Sequence, residues 1–178
     1  MTQIIIDLLA TFTLVSNILM AVFFLTLIFR IKLPIKYKKI LLKNNLWLVF
    51  LVSSTGFLGS LFLSEVAKLS PCILCWWQRI FMYPQPFLAA TALYRREKSI
   101  VPYLLVLNII GLLFSLYNYL IQVLPAAKLA ACQIGGFVSC TANITYYFGY
   151  ITFPLMAATG FLLNIIFLSY VKNPFRTK

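Results

Sequence analysis

The stretch Ile100–Val123, IVPYLLVLNIIGLLFSLYNYLIQV, runs without a charged residue and decides the fold. Crossing the hydrocarbon of a bilayer as a helix takes about 20 mostly apolar residues, because the backbone has no water to pair with there. Four further segments meet the same condition: Ile4 to Phe29, Leu46 to Leu63, Ile73 to Tyr94 and Tyr146 to Val171. With 178 residues, 62% hydrophobic and 10% charged, and a mean hydropathy of +0.96, the chain cannot hide its apolar surface inside a soluble domain. The expected fold class is an all-α integral membrane protein of five spans, with no separate soluble domain.

The cations set the orientation, since short cytoplasmic loops retain lysine and arginine. Arg30, Lys32, Lys36, Lys38, Lys39 and Lys43 lie in the first connection, Arg95, Arg96 and Lys98 in the third, and Lys172, Arg176 and Lys178 in the tail. The opposite side carries only Lys68 and Lys128, so the N-terminus is expected outside and the C-terminus inside. The net charge of +12 is thereby arranged by a membrane; no basic groove can be drawn, and no nucleic-acid partner is expected. Met1 to Ala10 has no positive charge and opens a long apolar run, unlike a cleaved signal peptide, so residues 1–30 read as an extra N-terminal transmembrane helix. A basic cytoplasmic connection (31–45), a four-helix core (46–171) with outer loops at 64–72 and 124–145, and a basic tail (172–178) complete the division.

Four cysteines form two pairs, Cys72 with Cys75 and Cys132 with Cys140, all placed by this topology at the oxidising outer face. Zinc is the metal alternative, but the Cys132–Cys140 spacing exceeds a usual knuckle and the chain has no histidine, so no metal is expected. Inert disulfides bracing two loops are the other alternative. The setting of the first pair weighs against inertness. Ser70-Pro71-Cys72 reads as a helix start, with Ser70 as cap and Cys72 in the first turn, where the helix dipole favours a thiolate and CxxC spacing lowers thiol pKa.

Arg79 stands one helical turn beyond Cys75 on the same face, about 6 Å deeper at 1.5 Å per residue. An ionisable group at that depth is a candidate functional residue, although it can also snorkel to headgroups. A cation there can stabilise a thiolate or polarise the carbonyl oxygen of a bound acceptor. Trp76, Trp77 and Tyr83 read first as an interfacial aromatic belt. Gln78 suits either an acceptor or a neighbouring helix. Met82-Tyr83-Pro84 puts a proline inside a span, where a kink could open a cavity beside Arg79.

The second pair lies in a long loop, Leu124 to Thr145, with Gly135 and Gly136 between its cysteines. Long loops in compact chains are often functional, and glycines give this one freedom to close a disulfide and reach a soluble partner. The Asn143-Ile144-Thr145 triplet matches a glycosylation acceptor by pattern alone.

Taken together, Gly59-Ser60-Leu61-Phe62 with Ser64-Glu65, the run Pro71-Cys72-Ile73-Leu74-Cys75-Trp76-Trp77-Gln78-Arg79-Ile80-Phe81-Met82-Tyr83-Pro84, and a cysteine pair in the next outer loop closely resemble the DsbB family of disulfide-forming membrane oxidases, in particular its short BdbC-type branch. The resemblance covers roughly Leu46 to Val171 and is most specific around the CxxC. It implies a four-helix bundle that reoxidises a DsbA-like thioredoxin-fold thiol oxidase and passes the electrons to a membrane quinone, ubiquinone or menaquinone. By position, Cys132 corresponds to the cysteine that joins the partner, Cys140 to its loop mate, Cys72 and Cys75 to the next station, and Arg79 to the arginine of the quinone site. Such a partner is a strong oxidant because its reduced form is stabilised, so a still stronger sink is needed to regenerate it. Two features depart from the pattern: the helix at Ile4 to Phe29 lies outside the core, and seven residues between Cys132 and Cys140 make a shorter interval than in the best-known branch. An enzyme resembling vitamin-K-epoxide reductase also joins loop cysteines, a CxxC and a quinone, but with the loop pair before the CxxC. A non-enzymatic scaffold with braced loops is the alternative outside the enzymes.

Overall fold

The structure is a computed structural model that describes residues 2–28, 35–124 and 146–169, with side chains for 4–21, 44–124 and 146–169. Cys132, Cys140, Gly135, Gly136 and the Asn143 triplet, together with the basic tail, lie outside the described residues. Six helical segments follow in order: α1 (Thr2–Ile28), α2 (Ile35–Glu65), α3 (Ile73–Met82), α4 (Pro84–Arg95), α5 (Val101–Val123) and α6 (Phe153–Ser169). Tyr83 keeps right-handed helical angles (φ −64°, ψ −38°) between α3 and α4, so the two make one rod interrupted only by Pro84. Gln85 eases that interruption, its side-chain amide donating to the Phe81 carbonyl at 2.9 Å. Among the described residues three stretches are long and apolar enough to cross a membrane: Ile4–Ala21, Asn44–Glu65 and Val101–Val123. The architecture is a bundle of apolar helices.

Three boundaries differ from the sequence expectation. Helix α2 begins eleven residues before Leu46, bending at Asn44, whose angles (φ −114°, ψ 16°) are not helical. The last helix begins at Phe153 instead of Tyr146. Before it, Tyr147 and Ile151 form an isolated antiparallel bridge, closed by left-handed angles at Phe148 (φ 51°) and Gly149 (φ 82°), which no helix can absorb. Finally, Ser70 is not the cap of α3; Cys72 is, and its own sulfur accepts from the Cys75 amide.

The long helix α5 shows how an apolar span packs. Leu104, Asn108, Gly111, Ser115 and Asn118 recur at alternating steps of four and three on its buried face. Asn108 and Ser115 satisfy their donors on the preceding turn, at Leu104 and Gly111 carbonyls (2.7 and 2.8 Å), so polar residues are tolerated where water is absent. At Gly111 the ring of Phe161, itself 2% exposed, comes so close that an added Cβ would stand 2.4 Å from its Cζ. Gly111→Ala is therefore expected to destabilise the bundle by about 1–3 kcal/mol through overpacking, outweighing the gain of about 1 kcal/mol in helix propensity. A lower thermal midpoint in detergent is the expected reading; a higher one would show that α5 and α6 are not packed this closely.

Candidate functional site

The CxxC folds as its position dictates. Pro71 cannot donate a backbone bond and precedes the cap; Cys72 has extended angles (φ −72°, ψ 166°) and starts α3. Three residues on, Cys75 returns to the same helical edge, and the two sulfurs stand 2.9 Å apart as free thiols. Cys72 is 6% exposed and Cys75 half-buried. Both pack with Leu74, Ile121 and Phe114 at one end of the bundle.

The Cys75 thiol donating to its sulfur holds Cys72 well below the ordinary thiol range, at about 6; burial opposes this, while the Cys75 and Leu74 backbone amides and the Asn118 side chain assist it. Arg79, expected from the sequence to be able to stabilise the thiolate, is not among these causes. The thiolate is the reactive form, so reactivity should be present at neutral pH and lost as the pH falls through about 6. In the reduced protein, alkylation of Cys72 by iodoacetamide, followed by peptide mass spectrometry, should level off above pH 7. In Cys75→Ala, which lacks the donor, the midpoint should move up. A rate still climbing past pH 8 in the unsubstituted chain would contradict the geometry.

Asn118, in sequence one more residue of an apolar span, is fully buried on α5 and aims its amide at both sulfurs, 3.6 Å from Cys75 Sγ and 3.9 Å from Cys72 Sγ. Its helical spacing with Asn108 and Ser115 was the available signal.

A cavity of about 440 Å³ opens from this pair into the bundle. Cys72, Cys75, Gln78, Arg79, Met82 and Gln85 line it along one edge of the α3–α4 rod, a length of about 20 Å at 1.5 Å per residue. The cavity predicted beside Arg79 is thus present. Gln78 is 5% and Asn164 2% exposed, yet the Gln78 side-chain nitrogen and the Asn164 side-chain oxygen have no hydrogen-bond partner among the described residues. Asn164 spends its own nitrogen on Gln85 Oε1 at 3.1 Å. Both residues line the cavity, and a buried polar atom without a partner is where a ligand or water is looked for. Arg79 is half-buried, its guanidinium carbon 5.5 Å from the centroid of the Trp76 ring. It also lines a second, outer cleft of about 290 Å³ with Glu65 and Lys68. Trp77 stacks on Phe114 (5.4 Å, 5°), giving it a packing role beyond an interfacial belt. Tyr83 meets Ser60 through its hydroxyl at 3.3 Å.

Fold and site together define a class: a bundle of apolar, membrane-length helices with two apposed thiols at the mouth of an internal cavity. A family model described as "Disulfide bond formation protein DsbB" matches residues 43–171. The chain is 36% identical over 136 residues to "Probable disulfide formation protein C 2" of Bacillus cereus (strain ATCC 10987 / NRS 248), covering 76% of this chain and 96% of that protein. It is 38% identical over 128 residues to "Disulfide bond formation protein C" of Bacillus subtilis (strain 168), covering 71% and 89%. It is 40% identical over 121 residues to "SPbeta prophage-derived disulfide bond formation protein B" of the same strain, covering 68% and 80%. No solved structure matches. The chain belongs to the DsbB family of disulfide bond formation proteins, which implies an oxidoreductase role in making disulfide bonds.

Proposed function

We propose that this protein is a thiol:quinone oxidoreductase of the cell membrane that reoxidises a DsbA-like thioredoxin-fold partner. The observation that carries this reading is the apposition of the Cys72 and Cys75 sulfurs at the end of a cavity that also holds Arg79 and the unpartnered Gln78 nitrogen. In the proposed topology of five spans, N-terminus out, all four cysteines face outward.

The thiol chemistry balances as two exchanges. One partner thiolate attacks the Cys132–Cys140 disulfide, freeing one loop thiol and forming a mixed disulfide. The partner's second thiolate then attacks that mixed disulfide at the partner's sulfur, freeing the other loop thiol, so the loop pair gains two electrons and two protons and the partner leaves as a disulfide. The loop thiols then reduce a Cys72–Cys75 disulfide in the same way, leaving Cys72 and Cys75 as a dithiol. A quinone, when bound, supplies the final sink for two electrons and two protons. The residues fit such a group: the cavity is apolar along much of its wall and offers Gln78 as a neutral donor and Arg79 as a charged one. Asn164, also on the lining, has an acceptor without a partner among the described residues.

The test is partner-driven quinone reduction by the purified protein in detergent, with reduced thioredoxin-fold protein as donor. Equal rates with the unsubstituted protein and with Cys75→Ala would rule the oxidase out.

A further inference from the structure

The family match begins at residue 43, so α1 lies wholly outside it. Yet α1 is built into the cavity. Ile6, Leu9, Thr13 and Ser16 recur at steps of three and four, all lining it. The same side of α1 is its buried side: Ala10 is fully enclosed and Ile6, Thr13, Ser16 and Met20 are each under a tenth exposed, whereas Ile4 and Leu8 are about two-thirds exposed. An apolar helix with no role in the bundle has no reason to hide one face selectively. Two contacts fix it in place. Thr159 on α6 donates its hydroxyl to Asn17 Oδ1 at 2.8 Å, a bond that singles out one rotation of α1. On α2, Leu9 fills the space beside Gly59, where an added Cβ would touch Leu9 Cδ1 at 3.4 Å.

The remaining walls come mainly from α2, the α3–α4 rod and α6, with Leu69 to Pro71, Gln122 of α5 and Tyr147 completing the lining. The matched core therefore supplies the thiols, Gln78, Arg79 and Asn164 but leaves one side to be closed by α1. We infer that α1 is the fourth wall of the acceptor cavity, and that its inward residues Thr13 and Ser16 set the width available to a flat, two-carbonyl ring and its apolar tail. This rests on the quinone reading above. The same slot could instead hold a phospholipid acyl chain, which shares the tail chemistry but not the ring.

The experiment is equilibrium binding to the full-length protein in detergent, read by quenching of tryptophan fluorescence, since Trp76, on the outer cleft, lies against Arg79, which lines the cavity. Decylubiquinone and menadione are the ring probes, and a phospholipid is the tail-only comparison. Ser16→Phe places a ring in the slot and is expected to weaken binding of the preferred quinone about tenfold or more, with the phospholipid failing to compete. Leu8→Phe, on the outer face, should leave affinity unchanged. Because Ser16→Phe could disturb folding, the unsubstituted protein is also photolabelled with an azidoquinone, and label is expected on α1. Unchanged affinity in Ser16→Phe, or labelling confined to the other walls, overturns the role of α1 while leaving the quinone reading intact. Competition by phospholipid at equal strength identifies the slot as a lipid seat and likewise overturns it. If neither quinone binds the unsubstituted protein, the quinone reading falls and this inference with it.

Discussion

Cys75→Ala is expected to lower partner-driven quinone reduction by at least about a thousandfold, the scale on which loss of a covalent participant acts. Cys75 is the sulfur 2.9 Å from Cys72. Without it Cys72 cannot close its own disulfide, and any exchange with a loop cysteine stops at the mixed disulfide. The stalled species is an intrachain disulfide between Cys72 and a loop cysteine, and should appear as a disulfide-linked peptide pair in a non-reducing digest that dithiothreitol separates. The bundle itself should survive, because only one half-buried sulfur is lost. A variant that turns over at the original rate would rule out the oxidase reading.

Arg79→Ala should act on a different step. Its guanidinium lines the cavity and lies against Trp76, but it is absent from the causes that hold Cys72 near 6. The expected result is a fall in kcat/KM for quinone of about 10- to 100-fold, in line with losing one charged donor to a developing oxyanion. The pH profile of Cys72 alkylation should stay where it was. Arg79→Lys should recover part of the rate, since it keeps the charge but not the planar fork. If Arg79→Ala instead shifts the alkylation profile and spares the quinone KM, the arginine serves the thiolate and not the acceptor.

These two effects also mark how far the sequence could be read. The helices were legible because each apolar run is long and bounded by charges or turn residues, and CxxC with Arg79 was legible because a fixed helical spacing puts them on one edge. The start of the last helix was not: Tyr146 to Thr152 is apolar enough to extend a span, and only the backbone angles at Phe148 and Gly149 break it. The capping role of Cys72 was hidden because sulfur is a poor cap, and Ser70-Pro71 offered a better one on paper. Asn118, Gln85 and Asn164 were missed for a shared reason. Each is a neutral amide inside an apolar segment, and its importance depends on which helix lies opposite, a pairing that hydropathy does not encode. The inward face of α1 was invisible on the same ground.

One consequence concerns Asn118. A single amide pointing at two sulfurs need not choose between them. When negative charge passes from one sulfur to the other, the dipole that solvates it is already aligned, and no water has to enter or turn. The donor that meets charge on either sulfur is thus supplied by one buried side chain of α5.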